Sequence, residues 1–182
     1  MGQLRAGGGA CEQRLTPSAI RRLAAVLGRI APSGTKLYLT GGATAVLEGW
    51  RRSTIDVDVR IEPESDEILR AIAETKESLD INIELASPID FLPELPGWRK
   101  RSRFRFREGA LEVFDFDLYS QALSKIERGF DLDLADAAAM IESGLVEPGR
   151  LRELVAAIEG ELYRFPAVDP AGLRAKLDRA LA

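Results

Sequence analysis

Residues 36–59 read KLYLTGGATAVLEGWRRSTIDVDV, and this stretch decides the fold. Lys36-Leu37-Tyr38-Leu39 is an apolar run of strand length that stops at Gly41-Gly42, and Ala43 to Glu48 forms a short helical segment closed by Gly49. Thr54-Ile55-Asp56-Val57-Asp58-Val59 then alternates polar with mostly β-branched apolar residues, the period of a half-buried strand. The predicted order is strand, glycine turn, helix, strand. Residues two apart in a strand point the same way, with Cα atoms about 6.5 to 7 Å apart, so Asp56 and Asp58 present carboxylates side by side.

Working outward, Thr16 before Pro17 has the form of an N-cap followed by proline at the first helical position, and Ile20, Leu23, Leu27 and Ile30 recur at helical spacing. Residues 1–12, with Gly7, Gly8 and Gly9 in a row and no apolar period, are expected to be disordered. Downstream, Ser65, Asp66 and Glu67 open a helix with Ile68 and Ile72 inward, and Ile81 to Leu85 is the next strand. A proline-punctuated loop spans Pro88 to Gly97. Arg103 to Arg107 then turns at Glu108-Gly109 and returns through Leu111 to Leu118, a hairpin at the end of the sheet. From Ser120 the pattern is helical, over Gln121–Arg128, Asp133–Ser143, Arg150–Tyr163 and from Pro170 to the end. The expected fold is α/β (α+β): a small mixed sheet flanked by helices over residues 13–119, with a helical part over 120–182 in the same compact unit.

Composition narrows the chemistry. The 182 residues are 46% hydrophobic and 30% charged, a globular balance, and no apolar run approaches the roughly 18 residues of a spanning helix. A single Cys11 and an N-terminus without an apolar leader fit a reducing cytoplasm and no membrane partner. The formal charge of −4 argues against coating nucleic acid by bulk charge. Because the chain has no histidine, metal or acid–base work falls to carboxylates, which prefer hard cations such as Mg²⁺ (or Mn²⁺).

An Asp-x-Asp pair by itself decides little, since Asp115-Phe116-Asp117 and Asp131-Leu132-Asp133 repeat the spacing. Context separates Asp56 and Asp58. They follow Gly41-Gly42 after 13 intervening residues, and the helix between them offers N-terminal amides to phosphate. Two cations held by clustered carboxylates can activate an attacking hydroxyl and stabilise a leaving pyrophosphate. Arg51 and Arg52 have guanidinium groups suited to phosphate, or are simply solvated. The segment Trp98 to Arg107 mixes basic and aromatic residues as a nucleic-acid-binding strand does, and equally as an amphipathic edge strand does. Asp131 to Glu142 matches a calcium loop at its acids but has Asp136 where that loop needs glycine, so an EF-hand is rejected.

The glycine turn followed by Asp-x-Asp on a strand resembles the nucleotidyltransferase superfamily, and the Arg-x-Thr-x-Asp-x-Asp run looks most like minimal proteins related to the AbiEii toxins. Lys125-Ile126-Glu127-Arg128-Gly129 and Asp133-Leu134-Ala135-Asp136 look like the downstream Lys and Asp motifs of those proteins, so the resemblance covers about residues 36–146. It implies that Gly41 and Gly42 cradle a triphosphate, with Thr44 and Arg52 in the nucleotide-binding set. It also implies that Asp56 and Asp58 bind metal with a third carboxylate, Glu84 first, then Asp117, then Asp90, and that Lys125 has a site role. For Asp133 and Asp136, capping a helix start is the competing role. The implied function is metal-dependent transfer of a nucleoside monophosphate from a nucleoside triphosphate to an RNA or protein hydroxyl, in a toxin–antitoxin setting with a partner protein. The alternative is a catalytically inactive module on the same fold that acts by binding a partner.

Overall fold

A computed structural model describes residues 15–182, so the expectation for residues 1–12 lies outside the described residues. Helix α1 (Pro17–Gly28) is followed by strand β1 (Lys36–Thr40), α2 (Gly41–Glu48), β2 (Asp56–Glu62), α3 (Asp66–Leu79) and β3 (Asn82–Leu85). A 3₁₀ turn (Pro88–Asp90) and a single turn of helix, α4 (Trp98–Arg101), lead into the hairpin β4 (Arg103–Glu108) and β5 (Leu111–Asp115). The rest is helical: α5 (Leu118–Arg128), α6 (Asp131–Glu142), α7 (Pro148–Ala156), a 3₁₀ segment (Glu159–Arg164) and α8 (Pro170–Ala180).

The five strands form one mixed sheet in the order β3-β2-β1-β5-β4. β1 runs antiparallel to β2 and parallel to β5, while β2 and β3 are parallel, joined by α3 as a crossover. Period-two alternation gives the sheet two unlike faces. One carries Leu37, Leu39, Val57, Val59, Ile61 and Val113 into a core with Ile20, Leu23 and Leu27 of α1 and Ile68 and Ile72 of α3. The other carries Asp56, Asp58, Arg60 and Glu62, none fully buried, on β2. Toward β5 this second face holds an aromatic cluster, where Tyr38 meets Trp98 edge-on and Trp98 stacks on Phe116 with ring centres 4.2 Å apart. A separate apolar core unites α5 to α8 with Leu92 and Leu95.

Local signals explain most boundaries. The Ser65 hydroxyl accepts the Ile68 amide at the start of α3, Gly49 closes α2 at φ 93°, and Asp169 accepts the Ala171 and Gly172 amides at the start of α8. The mixed sheet, flanking helices and helical C-terminal part agree with the expected fold. Several details differ, among them the returning strand of the hairpin, expected through Leu118, which ends at Asp115 because Asp117 caps α5. The two glycines open α2 instead of preceding it. Ile30 lies beyond α1 and is exposed. The helix expected over Arg150–Tyr163 ends at Ala156 and tightens into a 3₁₀ segment around Gly160, a residue that weakens a helix interior. On β4 the alternation of an amphipathic edge strand is interrupted by a register shift between Phe104 and Phe106, and Phe104 is exposed. Among the described residues no helix is long and apolar enough to cross a membrane.

Candidate active site

Sheet register builds the site. Thr40, the residue before the glycines, stands opposite Asp58, and Asp58 stands opposite Glu84 on β3. Asp56 stands opposite Asn82. Neighbouring strands lie about 4.8 Å apart, so three carboxylates on two adjacent strands share one patch of the polar face. Asn82 ties the patch together, its amide donating to Asp56 Oδ1 at 2.6 Å and to Glu84 Oε1 at 3.3 Å. Burial, then the Glu84 and Asp56 charges, push the Asp58 carboxyl up to about 6, while Arg128 and Lys125 pull the other way.

Both glycines are required by close approach. Gly41 sits at φ 60°, and a Cβ there would lie 2.5 Å from Asp58 Oδ2. A Cβ on Gly42 would lie 2.1 Å from Thr54 Oγ1. The turn is held from behind by Gln121 of α5, whose Oε1 accepts the Gly41 amide at 2.9 Å while its Nε2 donates to Thr44 Oγ1 and to the Phe116 carbonyl. The Gly41 amide is thereby occupied, and the following amides of the first turn of α2 are the ones the helix itself leaves unpaired.

Opposite the carboxylates lies a cationic wall. Lys125 is 3% exposed, and its ammonium donates to Asp133 Oδ1 at 3.1 Å and Asp136 Oδ2 at 2.6 Å. Asp136 also accepts from Arg51 Nε at 2.8 Å and Trp50 Nε1 at 3.2 Å, and Arg128 donates to Asp133 at 2.7 Å. This network fastens the α2–β2 loop to α5 and α6. The cleft has two lobes that share Gly41, Asp58, Lys125 and Arg128; Glu84, Ser87 and Phe91 line one, and Arg51, Thr54, Asp56 and Phe130 the other.

The structure thus brings together Gly41, Gly42, Asp56, Asp58, Glu84 and Lys125. Thr44 is buried behind the turn, donating to the Leu39 carbonyl, and Arg52 is exposed outside both lobes, where its neighbour Arg51 stands instead. Asp117 is fully buried as the N-cap of α5 and is bound by Arg101 at 2.9 and 2.8 Å; Asp90 caps its own 3₁₀ turn through Ser87. Neither Asp133 nor Asp136 acts as an N-cap, since that position belongs to Phe130; both anchor cations instead. The basic run of β4 is likewise occupied: Arg103 and Arg105 pair with Glu48, Arg105 with Asp115, and Arg107 with Glu112. Asn82 and Gln121 escape sequence reasoning, and Arg51 is named there only beside Arg52, which the site residues then favour. Only Asn82 left a signal, two residues before Glu84 on the same strand face.

A divalent cation fits the donor chemistry, which is all hard oxygen, and would relieve the like-charge crowding at Asp58. Among the described residues, no three acidic or cysteine side chains stand close enough, as placed, to hold a metal. The register places Asp56, Asp58 and Glu84 on one face of two neighbouring strands.

A strand ending in Gly-Gly, a helix opened by those glycines, and an acidic pair returning on the antiparallel neighbour define a nucleotidyltransferase-like protein. The profile of a family described as "Nucleotidyltransferase of unknown function (DUF6036)" matches residues 20–166, and the chain belongs to that family. No curated protein and no solved structure matches it.

Proposed function

We propose that this protein transfers a nucleoside monophosphate from a nucleoside triphosphate to a hydroxyl of an RNA or protein acceptor, with Mg²⁺ (or Mn²⁺) held by Asp56, Asp58 and Glu84. The observation that carries the reading is the register that aligns Thr40, Asp58 and Glu84 across three strands, facing Lys125 and Arg128. The metal would neutralise phosphate oxygens and the leaving pyrophosphate. The chain's own groups do the rest. The first-turn amides of α2 meet the phosphates, and Lys125 and Arg128 offset negative charge as it gathers on the leaving group. Asp136 and Asp133 act as positioning residues that keep those cations at the wall. Glu84, the exposed member of the acidic patch, takes the proton of the acceptor hydroxyl as its oxygen attacks the α-phosphorus. The bond to the acceptor forms, the α–β bridging bond breaks, and pyrophosphate leaves with the electron pair.

The resemblance to AbiEii-related toxins supports a toxin–antitoxin setting as part of the proposal. A second reading, a partner-binding module without transfer, is favoured by one observation, the absence among the described residues of a ready-made cluster of three metal-ligating side chains. Incubation with α-labelled ATP, CTP, GTP and UTP, Mg²⁺, and RNA or protein acceptors separates them. Wild type is expected to transfer label and Glu84→Gln to lose on the order of 100-fold or more. No transfer from any triphosphate by the folded protein would leave the partner-binding reading.

A further inference from the structure

The lobe that holds Asp58 and Glu84 does not end there. It shares Phe91, Ser124 and Arg128 with a larger depression of about 620 Å³ that continues to Arg164, Phe165 and Pro166. The lining combines two planar apolar rings with two guanidinium groups. Phe91 is 60% exposed although it lies at the mouth of a cleft, and the Arg128 and Arg164 side chains are about half exposed or more. Phe165 is half-buried against the helical bundle, which fixes its ring.

Two acids also line the groove, and both are engaged. Glu127 is bonded to Lys176, and Asp90 accepts the amide and hydroxyl of Ser87. Among the described residues Arg164 pairs only with Glu161, an exposed i,i+3 contact of the kind that is worth little and is readily exchanged for a phosphate. Aromatic faces and cations lining one groove suit unstacked bases joined by phosphates. A duplex keeps its base faces stacked and cannot present them. A peptide offers neither a phosphate repeat nor a regular series of planar faces.

We propose that this groove seats the 3′-terminal nucleotides of a single-stranded polynucleotide acceptor, with bases on Phe91 and Phe165 and a backbone phosphate at Arg164. The terminal hydroxyl is thereby delivered to Glu84 and Asp58, an assignment that rests on the transferase reading of the cleft. In the transfer, the 3′-oxygen bonds to the α-phosphorus, its proton passes to Glu84, and the α–β bridging bond breaks to release pyrophosphate.

The test is fluorescence anisotropy of labelled single-stranded RNA, single-stranded DNA and duplex oligonucleotides with the full chain, Arg164→Glu and Phe165→Leu. The leucine keeps an apolar body against the bundle and removes the aromatic face. Single strands are expected to bind, with the duplex at least about tenfold weaker and each variant about tenfold weaker than wild type. Arg164→Glu should also reduce the slope of log affinity against log salt by about 0.7, the share of one phosphate contact. Calorimetric binding of nucleoside triphosphate with Mg²⁺ should be unchanged in both variants. Equal binding of single strand and duplex, variants that bind as wild type, or Arg164-dependent labelling of a protein with no strand binding would overturn the proposal. Failure of wild type to bind any triphosphate would strike the transferase reading instead, since strand binding is read separately.

Discussion

At the scale of single residues, two glycines and a crowded carboxylate shape the cleft. An alanine at position 42 would drive its methyl group into the Thr54 side chain, whose Oγ1 and Cβ lie 2.1 and 2.8 Å from the ideal Cβ. Overpacking of this kind costs about 1 to 3 kcal/mol, so Gly42→Ala is expected to lower stability by that order in urea titrations as well as weaken nucleotide binding. Asp58 makes a prediction in pH. Its carboxyl is raised from 3.8 to about 6 by burial and by Glu84 and Asp56, so the folded chain holds a proton that the unfolded chain releases. Stability contributed by that proton is present at low pH and is lost as pH rises from about 4 through 6; above 6 the charged carboxylate opposes folding. Asp58→Asn should therefore raise the Tm of metal-free protein above pH 7, and the gain should vanish near pH 4. Thermal melts across that range check it, and an unchanged Tm at high pH would contradict the crowding.

At the scale of elements, α5 and α6 are joined by the largely buried Lys125, Asp133 and Asp136. Asp136→Ala would leave Lys125 and Arg51 facing a cavity without their shared anion, and breaking a buried pair from one side costs about 3 to 5 kcal/mol. Chemical denaturation should show that loss, with the double change Lys125→Met/Asp136→Leu recovering only the share of Lys125, since Arg51 and the Trp50 indole still lack their acceptor. The β4–β5 turn makes a second close approach: a Cβ on Gly28 would lie 2.0 Å from the Glu108 carbonyl oxygen, so Gly28→Ala is expected to displace the hairpin from α1 and lower the Tm. These elements also show what the sequence could reveal. The strand, glycine pair, helix and acidic strand were legible because periodicity and glycine placement are local properties. Glu84 was legible as an acid on the next strand, though only register shows it opposite Asp58. The Lys125 network was not, since a lysine and an arginine at i,i+3 look like a solvated helix face until α6 packs over them. Nor was the exchange of Arg51 for Arg52, because which of two adjacent loop arginines turns inward depends on Asp136, 85 residues away. The arginines of β4 suggested a nucleic-acid strand, yet Arg103, Arg105 and Arg107 meet acids of α2 and β5 that lie beside them only in the folded sheet.

At the scale of the molecule, two cores meet along a cleft. The sheet and its helices supply the carboxylates and the glycine turn, and the first two helices of the C-terminal bundle supply Gln121, Lys125, Arg128 and Asp136. A chain with a formal charge of −4 thereby keeps its cations where a triphosphate would need them. The most direct test of the central claim is calorimetric titration of ATP, CTP, GTP and UTP with Mg²⁺ into the full chain and into Asp56→Ala/Asp58→Ala. Mg²⁺-dependent binding of at least one triphosphate is expected, lost in the double variant. No binding of any triphosphate at millimolar concentration, or binding that survives loss of both aspartates, would contradict it.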